Sequence, residues 1–315
     1  MWAFHLAFQP VTHAQDNVAV VDQTAAAEDV VDQTVGPSEV ANSDSNMVGA
    51  SSLPSGGDLI RQSVQLMSKA NLTAQIRHQT ELFGQQLIGS GQYRQKFDGD
   101  GLRFRFQLRI RTEEQSTGIH HINDGRFLWV LENRDESKSV KQVDLNEVRK
   151  ALRRTKAAER NLDAIALGGL PRLLGSLSNN FEFDTPVEIT YQQTPVWAIR
   201  GIWKPKRLAA LLPHKKGILN AQGEIQEEQI PANFPDRVFV LLGRSDRFPY
   251  RVEYQKQHQD DSLLDEPPSS KTILTMDFFR VNLNAKLDSS EFRPYLGDDV
   301  DMSDATHAFI WKMRR

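Results

Sequence analysis

Residues 103–112 read RFRFQLRIRT, a cation at nearly every second position with an apolar side chain between each pair. In a β-strand successive side chains point to opposite faces, so Arg103, Arg105, Gln107, Arg109 and Arg111 share one side. Phe104, Phe106, Leu108 and Ile110 share the other. That is a half-buried strand with one dry face, and the rest of the chain has to supply what covers it. The competing reading is a single-strand nucleic-acid binder, whose cations track phosphates while its rings stack on bases.

Charge weighs against the nucleic-acid reading. The formal net charge is -3, but it is unevenly spread. No Lys or Arg precedes Arg61, whereas that stretch carries eight acids, from Asp16 to Asp58, leaving 33 acids against 38 bases from residue 59 onward. The later part is mildly basic, far short of a nucleic-acid module. A chain of 315 residues with 39% hydrophobic residues holds one large or two medium domains. Mean hydropathy is -0.49, and no run approaches the roughly 18–20 apolar residues that span a bilayer. Cysteine is absent, which excludes disulfides, Cys-ligated zinc and a Cys nucleophile.

Along the chain, WAFHLAF at 2–8 followed by QPVTHAQ reads as the end of a secretory signal, so residues 1–14 are expected to be a signal remnant. Residues 15–57 are rich in Asp, Ser, Ala, Val and Gln and repeat VVDQT at 20–24 and 30–34; a disordered acidic linker is expected there. Order should begin at Asp58, read as the N-cap of a helix with Ile60, Val64 and Met67 on one face. From Leu72 to about Val143 the period is two, in about four strands, with turns expected at Gly89-Ser90-Gly91, Asp98–Gly101 and Asn123-Asp124-Gly125. Asp144 and Glu147 form a capping-box pattern ahead of Leu145, Val148 and Leu152, and Leu170, Leu173, Leu174 and Leu177 mark a further, shorter helix. Strands return at 187–193, 196–203, 237–243, 250–256 and 272–282. Residues 58–315 should therefore form one α+β domain.

Chemical motifs fail one by one. Gly89, Gly91 and Arg94 break a G-x-G-x-x-G, and no G-x-S-x-G or H-E-x-x-H occurs. Adjacent His120 and His121 point to opposite faces of a strand and do not share an ion. The acidic DDVDMSD at 298–304 lacks the glycine and terminal glutamate of an EF-hand and reads as a solvated segment. No catalytic residue, metal or organic cofactor is indicated. Arg149, Lys150, Arg153 and Arg154, continued by Lys156 and Arg160, make a basic helix face: a solvated surface, or a contact for anionic lipid or an acidic partner.

Two stretches carry a family resemblance. NDGRFLWVLENRDESKSVKQVDL at 123–145 resembles the aromatic "DG-x-x-LW" hairpin of LolA-like proteins, periplasmic carriers of lipoproteins to the outer membrane. FFRVNLNAKLDSSEFRPYLGDDVDMSDAT at 278–306 resembles their C-terminal signature, a strand leading to D-x-x-x-F, a proline, a glycine and an acidic end. GSGQYRQ before them, and PRLLGSL and GRSDRFPYRVEYQ between them, follow the family's order. The chain departs from the family in its long acidic leader, in the insertion at 205–236, and in having Pro294 and Tyr295 where paired prolines are usual.

The resemblance implies a strongly curved antiparallel sheet, an unclosed half-barrel whose concave face is covered by helices. It also implies a lipid or lipoprotein acyl chain held there by Phe104, Phe106, Leu108, Ile110, Trp129, Leu170, Leu173, Leu174 and Leu177, with the arginines on the wet convex side. Enclosure has a clear driving force, since each buried methylene is worth about 0.8 kcal/mol. The protein would be an exported or periplasmic non-enzymatic monomer without a nucleic-acid partner or transmembrane segment. The alternative is a periplasmic regulatory module of the RseB type, acting through an envelope protein partner.

Overall fold

Period-two alternation dominates the computed structural model, which describes residues 53–82, 85–99, 101–111, 116–134, 137–153, 164–215, 217–257, 270–296 and 302–314. Six consecutive antiparallel strands come first: β1 (Leu72–Leu82), β2 (Gln85–Asp98), β3 (Gly101–Arg111), β4 (Ser116–Asn123), β5 (Phe127–Arg134) and β6 (Ser137–Asp144). Then follow β7 (Phe181–Phe183), β8 (Val187–Tyr191), β9 (Thr194–Trp203), β10 (Arg237–Gly243), β11 (Pro249–Gln257), β12 (Ser270–Asn282) and β13 (Met302–Asp304). The sheet order is β13-β6-β5-β4-β3-β2-β1-β12-β11-β10-β9-β7, with β8 on β9 beside β7. Only β13, paired with β6, runs parallel to its neighbour. The fold is therefore α+β on one large, mostly antiparallel sheet, but the strong curvature implied by the resemblance is not confirmed, since the sheet is not strongly curled.

Register explains one misreading. Gly89-Ser90-Gly91 is no turn; it lies within β2, with Gly91 opposite Leu108 and Gly89 opposite Ile110. A Cβ on Gly91 would sit 1.9 Å from the Gln107 carbonyl oxygen, and one on Gly89 would press on Leu108 and Ile110. Glycine here permits close approach of β3. The β8–β9 reversal instead uses Gln192 and Gln193, both at positive φ (47° and 65°), the two-residue geometry that matches strand twist.

Five helices lie among the described residues: α1 (Gly56–Met67), α2 (Leu145–Arg153), α3 (Ala164–Asn180), α4 (Pro205–Leu211) and α5 (Thr306–Arg314). The N-cap of α1 is Ser55, not Asp58; the Ser55 hydroxyl accepts from the Asp58 amide at 3.1 Å. Its buried stripe is Leu59, Ile60, Ser63 and Met67, with Val64 half-buried. Burying each of the large apolar residues is worth about 1.5–3 kcal/mol. Asp144 does open α2, its carboxylate accepting from the amides of Asn146 and Glu147, while the Glu147 side chain turns to Lys150. Residues 1–52, the expected signal remnant and most of the expected 15–57 linker, and Arg154, Lys156 and Arg160 of the basic run lie outside the described residues; the end of that linker, Ser55–Gly57, instead caps and begins α1. Residues 205–236 contribute α4 and a 3₁₀ turn at Glu227–Gln229, beside the sheet rather than within it.

Candidate functional site

Residues directly opposite across a ladder share a face, so register sorts the sheet. Phe104, Phe106, Leu108 and Ile110 stand opposite Gln95, Tyr93, Gly91 and Gly89 on β2, and Phe106 also faces His121 on β4. The same rows continue through Ala74, Ile76 and His78 of β1, Met276 of β12 and Val252 of β11. All four apolar residues of β3 are buried. The helices α1 and α3 pack on each other, and α3 packs on β3 and β4. Leu170, Leu174 and Leu177 are buried and Leu173 is half-buried, so two groups expected to meet do form one dry layer between sheet and helix.

A polar chain runs beneath this layer. Tyr93 donates its hydroxyl to Gln95 Oε1 at 2.8 Å and accepts from the Leu170 amide at 2.9 Å. Gln95 Nε2 donates to the Met67 and Ala70 carbonyls at 2.6 and 3.0 Å. One pair of strand residues thus fastens the end of α1 to the middle of α3. Burial raises the Tyr93 pKa, opposed by the Leu170 amide, and keeps the phenol protonated as a donor. Helix α3 breaks at this point: Gly168 and Gly169 leave helical geometry, Gly169 at φ 61°, and Pro171 opens the second half. A Cβ on Gly169 would lie 2.1 Å from the Tyr93 hydroxyl oxygen, so glycine is required by both backbone and contact.

Two histidines share this face. Burial depresses the pKa of His78 to about 4, with the Thr275 backbone pulling the other way, and that of His121 to about 3, helped by neighbouring His120. Both are neutral at pH 7. As expected from strand alternation, His120 turns away, its pKa lowered first by burial and then by Arg105 and Arg109. Among the described residues no cluster of His, Asp or Glu could hold a metal ion.

Trp129 is separated from the set. It pairs with Ile122, which pairs with Arg105, so it stands on the arginine face. Its indole donates to Asp124 Oδ2 at 3.1 Å, and the other carboxylate oxygen accepts from the Arg126 and Phe127 amides. Trp129 therefore braces the β4–β5 turn. The sequence pattern names the residue but not its side, because face depends on how the turn is counted.

The arginine face is not simply wet either. Residues Asp288–Phe292 form a capped 3₁₀ turn, Asp288 and Glu291 closing a capping box, and it packs on β3. Arg94 pairs with Glu291 at 2.5 Å, Lys96 donates to Ser289 at 2.9 Å, and Arg105 donates to the Arg293 carbonyl at 2.7 Å. Phe292 is 0% exposed. The D-x-x-x-F signature is thus a clasp on the second face; of the acidic segment at 298–304, residues 302–304 form β13 and are exposed, and 298–301 lie outside the described residues. Arg109 and Arg111, beyond the clasp, are exposed as expected.

A cavity of ≈ 670 Å³ is lined by Lys69, Ala70, Asn71 and residues 283–288. It shares no residue with the apolar layer. At the far sheet edge β8 is exposed, with Val187 60% and Ile189 37% accessible, and further along β9 Ile202, opposite Glu182 of β7, is exposed too. No helix among the described residues is long and apolar enough to cross a membrane.

No family model and no curated protein sequence matches the chain. Solved structures do. A LolA superfamily protein, NE2245 from Nitrosomonas europaea, matches 76% of this chain and 98% of its own, at 9% identity and TM-score 0.27. LprF from Mycobacterium bovis matches 74% and 95%, at 9% identity and TM-score 0.33. The Pseudomonas aeruginosa MucA/MucB complex matches 76% of this chain and 60% of that chain, at 7% identity and TM-score 0.36. The solved structures matched include a LolA superfamily protein, all at low identity and low TM-score.

Proposed function

We propose that this protein is an exported, non-enzymatic binder of a lipid or lipoprotein acyl chain, held between the sheet and α3. The observation that carries this reading is the Gly168–Gly169 break at the edge of a continuous apolar layer. Leu170, Leu174 and Leu177 are buried on a helix that packs on β3, whose Phe104, Phe106 and Leu108 are buried as well. An acyl chain would take the leucines' place on the sheet, and a helix already broken at its glycines can swing aside without melting. Methylene burial at about 0.8 kcal/mol each would offset the lost leucine contacts. The Tyr93 hydroxyl is the latch, because it bonds the first amide beyond the break.

Tyr93→Phe tests this. Losing the latch should lower the melting temperature, since a net hydrogen bond is worth about 0.5–1.5 kcal/mol. The same variant should bind a fluorescent fatty-acid probe more tightly than wild type, because opening costs less. A plain core would lose stability and gain no binding. Probe binding by neither protein would overturn the proposal.

A second reading, regulation through a protein partner, has its own support in the exposed β7–β8 edge. An open strand edge with Val187 and Ile189 accessible can accept an added extended segment. Loss of a co-purifying partner on Ile189→Lys, with probe binding absent throughout, would favour it.

A further inference from the structure

The carboxyl ends of β6 and β13 lie side by side because these two strands are parallel, with Asp304 opposite Gln142. Each leads directly into a helix, β6 into α2 and β13 into α5. The Asp144 amide donates to Thr306 Oγ1 at 2.9 Å, and the Ala305 amide to the Gln142 carbonyl at 2.8 Å, so the two first turns are fastened together. The helices then pack against each other. Counted from these joined starts, Lys150 and Trp311 are each five residues along their helices.

Their inward sides are ordinary. Leu145, Val148 and Thr306 are buried, and Phe309 and Ile310 are half-buried. The outward sides are not. Arg149, Lys150 and Arg153 are exposed on α2, with Glu147 the single acid among its described side chains, bonded to Lys150. On α5, the helix that packs against α2, Trp311 is 54% exposed. Three cations and an accessible indole on two packed helices are what an anionic bilayer surface fits: the bases meet headgroup phosphates while the amphipathic indole sits at the boundary with the acyl chains.

We infer that the α2–α5 end is a docking face for an anionic phospholipid bilayer, with Arg149, Lys150 and Arg153 contacting headgroups and Trp311 entering the interface. Docking at this end is independent of acyl-chain binding between sheet and α3. It would bring the protein to the surface where such cargo resides.

The test is flotation of the full chain with phosphatidylcholine vesicles, pure or containing about a third phosphatidylglycerol. Binding is expected only with the anionic vesicles, weakening as salt rises. Arg149→Glu, Lys150→Glu and Arg153→Glu together should reduce it about a hundredfold, and Trp311→Ser about tenfold. Arg109→Glu with Arg111→Glu, on the sheet's arginine face, should leave it unchanged. Melting curves verify folding, and should the triple variant not fold, quenching by brominated lipid provides a second readout. It should be present in wild type and reduced in Trp311→Phe. Equal flotation with neutral vesicles, no flotation, loss only in the β3 variant, or binding to polyglutamate without binding to vesicles would overturn the proposal. Fatty-acid probe binding read on the same variants tells the two proposals apart, since the α2 and Trp311 changes leave the inner face untouched.

Discussion

The two faces of the central sheet carry opposite chemistry and are closed by opposite means. On one, apolar rows from β1, β2 and β3 meet helices, and buried leucines and phenylalanines are joined by the hydrogen-bond chain of Tyr93 and Gln95. On the other, arginines reach upward and hold a passing segment by one carbonyl and one carboxylate, with one phenylalanine driven beneath. A row of cations is therefore no sign of a bare surface. The difference lies in how each cover is held: hydrophobic burial keeps α3 down over many side chains, whereas the clasp depends on a few polar anchors around Phe292.

If both covers are held mainly by apolar contact, Phe104→Ala and Phe292→Ala should cost similar amounts, about 3–5 kcal/mol each in urea unfolding. A small effect at Phe292 alone would show that its segment is merely draped over the arginines. The histidines sharpen the contrast in another way. His78 and His121 are neutral in the folded state well below the ordinary value of 6.5, so the unfolded chain binds protons that the native one does not. Their stabilisation is present above about pH 6.5 and is lost as pH falls toward about 4 for His78 and about 3 for His121. The loss should be of the order of 3 kcal/mol for His78. Urea midpoints measured across this window should flatten in His78→Asn with His121→Asn; an unchanged slope would assign acid sensitivity to the carboxylates.

Smaller effects belong to the arginine face. Arg94→Met breaks a partly exposed pair with Glu291 and should cost about 1 kcal/mol or less. Arg109→Gln, on the exposed part of the same strand pair, should change stability by less than about 0.5 kcal/mol. Equal costs at the two arginines would mean that the clasp is not what Arg94 holds.

Alternation in the first half was legible because it is a local signal, and Arg103–Arg111 sorts onto two faces as its spacing requires, though six strands stand where about four were expected. The leucines of α3 were legible for the same reason at helical spacing. Contact across the sheet was not. Gly89 and Gly91 look like a turn in isolation, and only the β3 backbone opposite shows why side chains are excluded there. Trp129 has the composition of a ligand residue, but its face follows from the Asp124 turn that its own indole braces. The latch of Tyr93 with Leu170 joins positions 77 residues apart, and no local pattern announces it. A tyrosine and a glutamine two residues apart on an otherwise apolar strand face, as at Tyr93 and Gln95, were the available hint.

Strand β13 has a consequence for the order in which the protein can be made. The Asp144–Thr306 contact spans 162 positions, so β6 emerges from the ribosome long before the strand that covers its edge. During that interval residues 137–144 present an unpaired strand to any neighbour able to supply a partner. Closing so distant a contact is also slow, because loop entropy must be overcome before pairing compensates for it. The last strand of the sheet therefore acts as a timer. A chain halted just before Met302 would carry almost the whole sheet and still leave this edge unpaired.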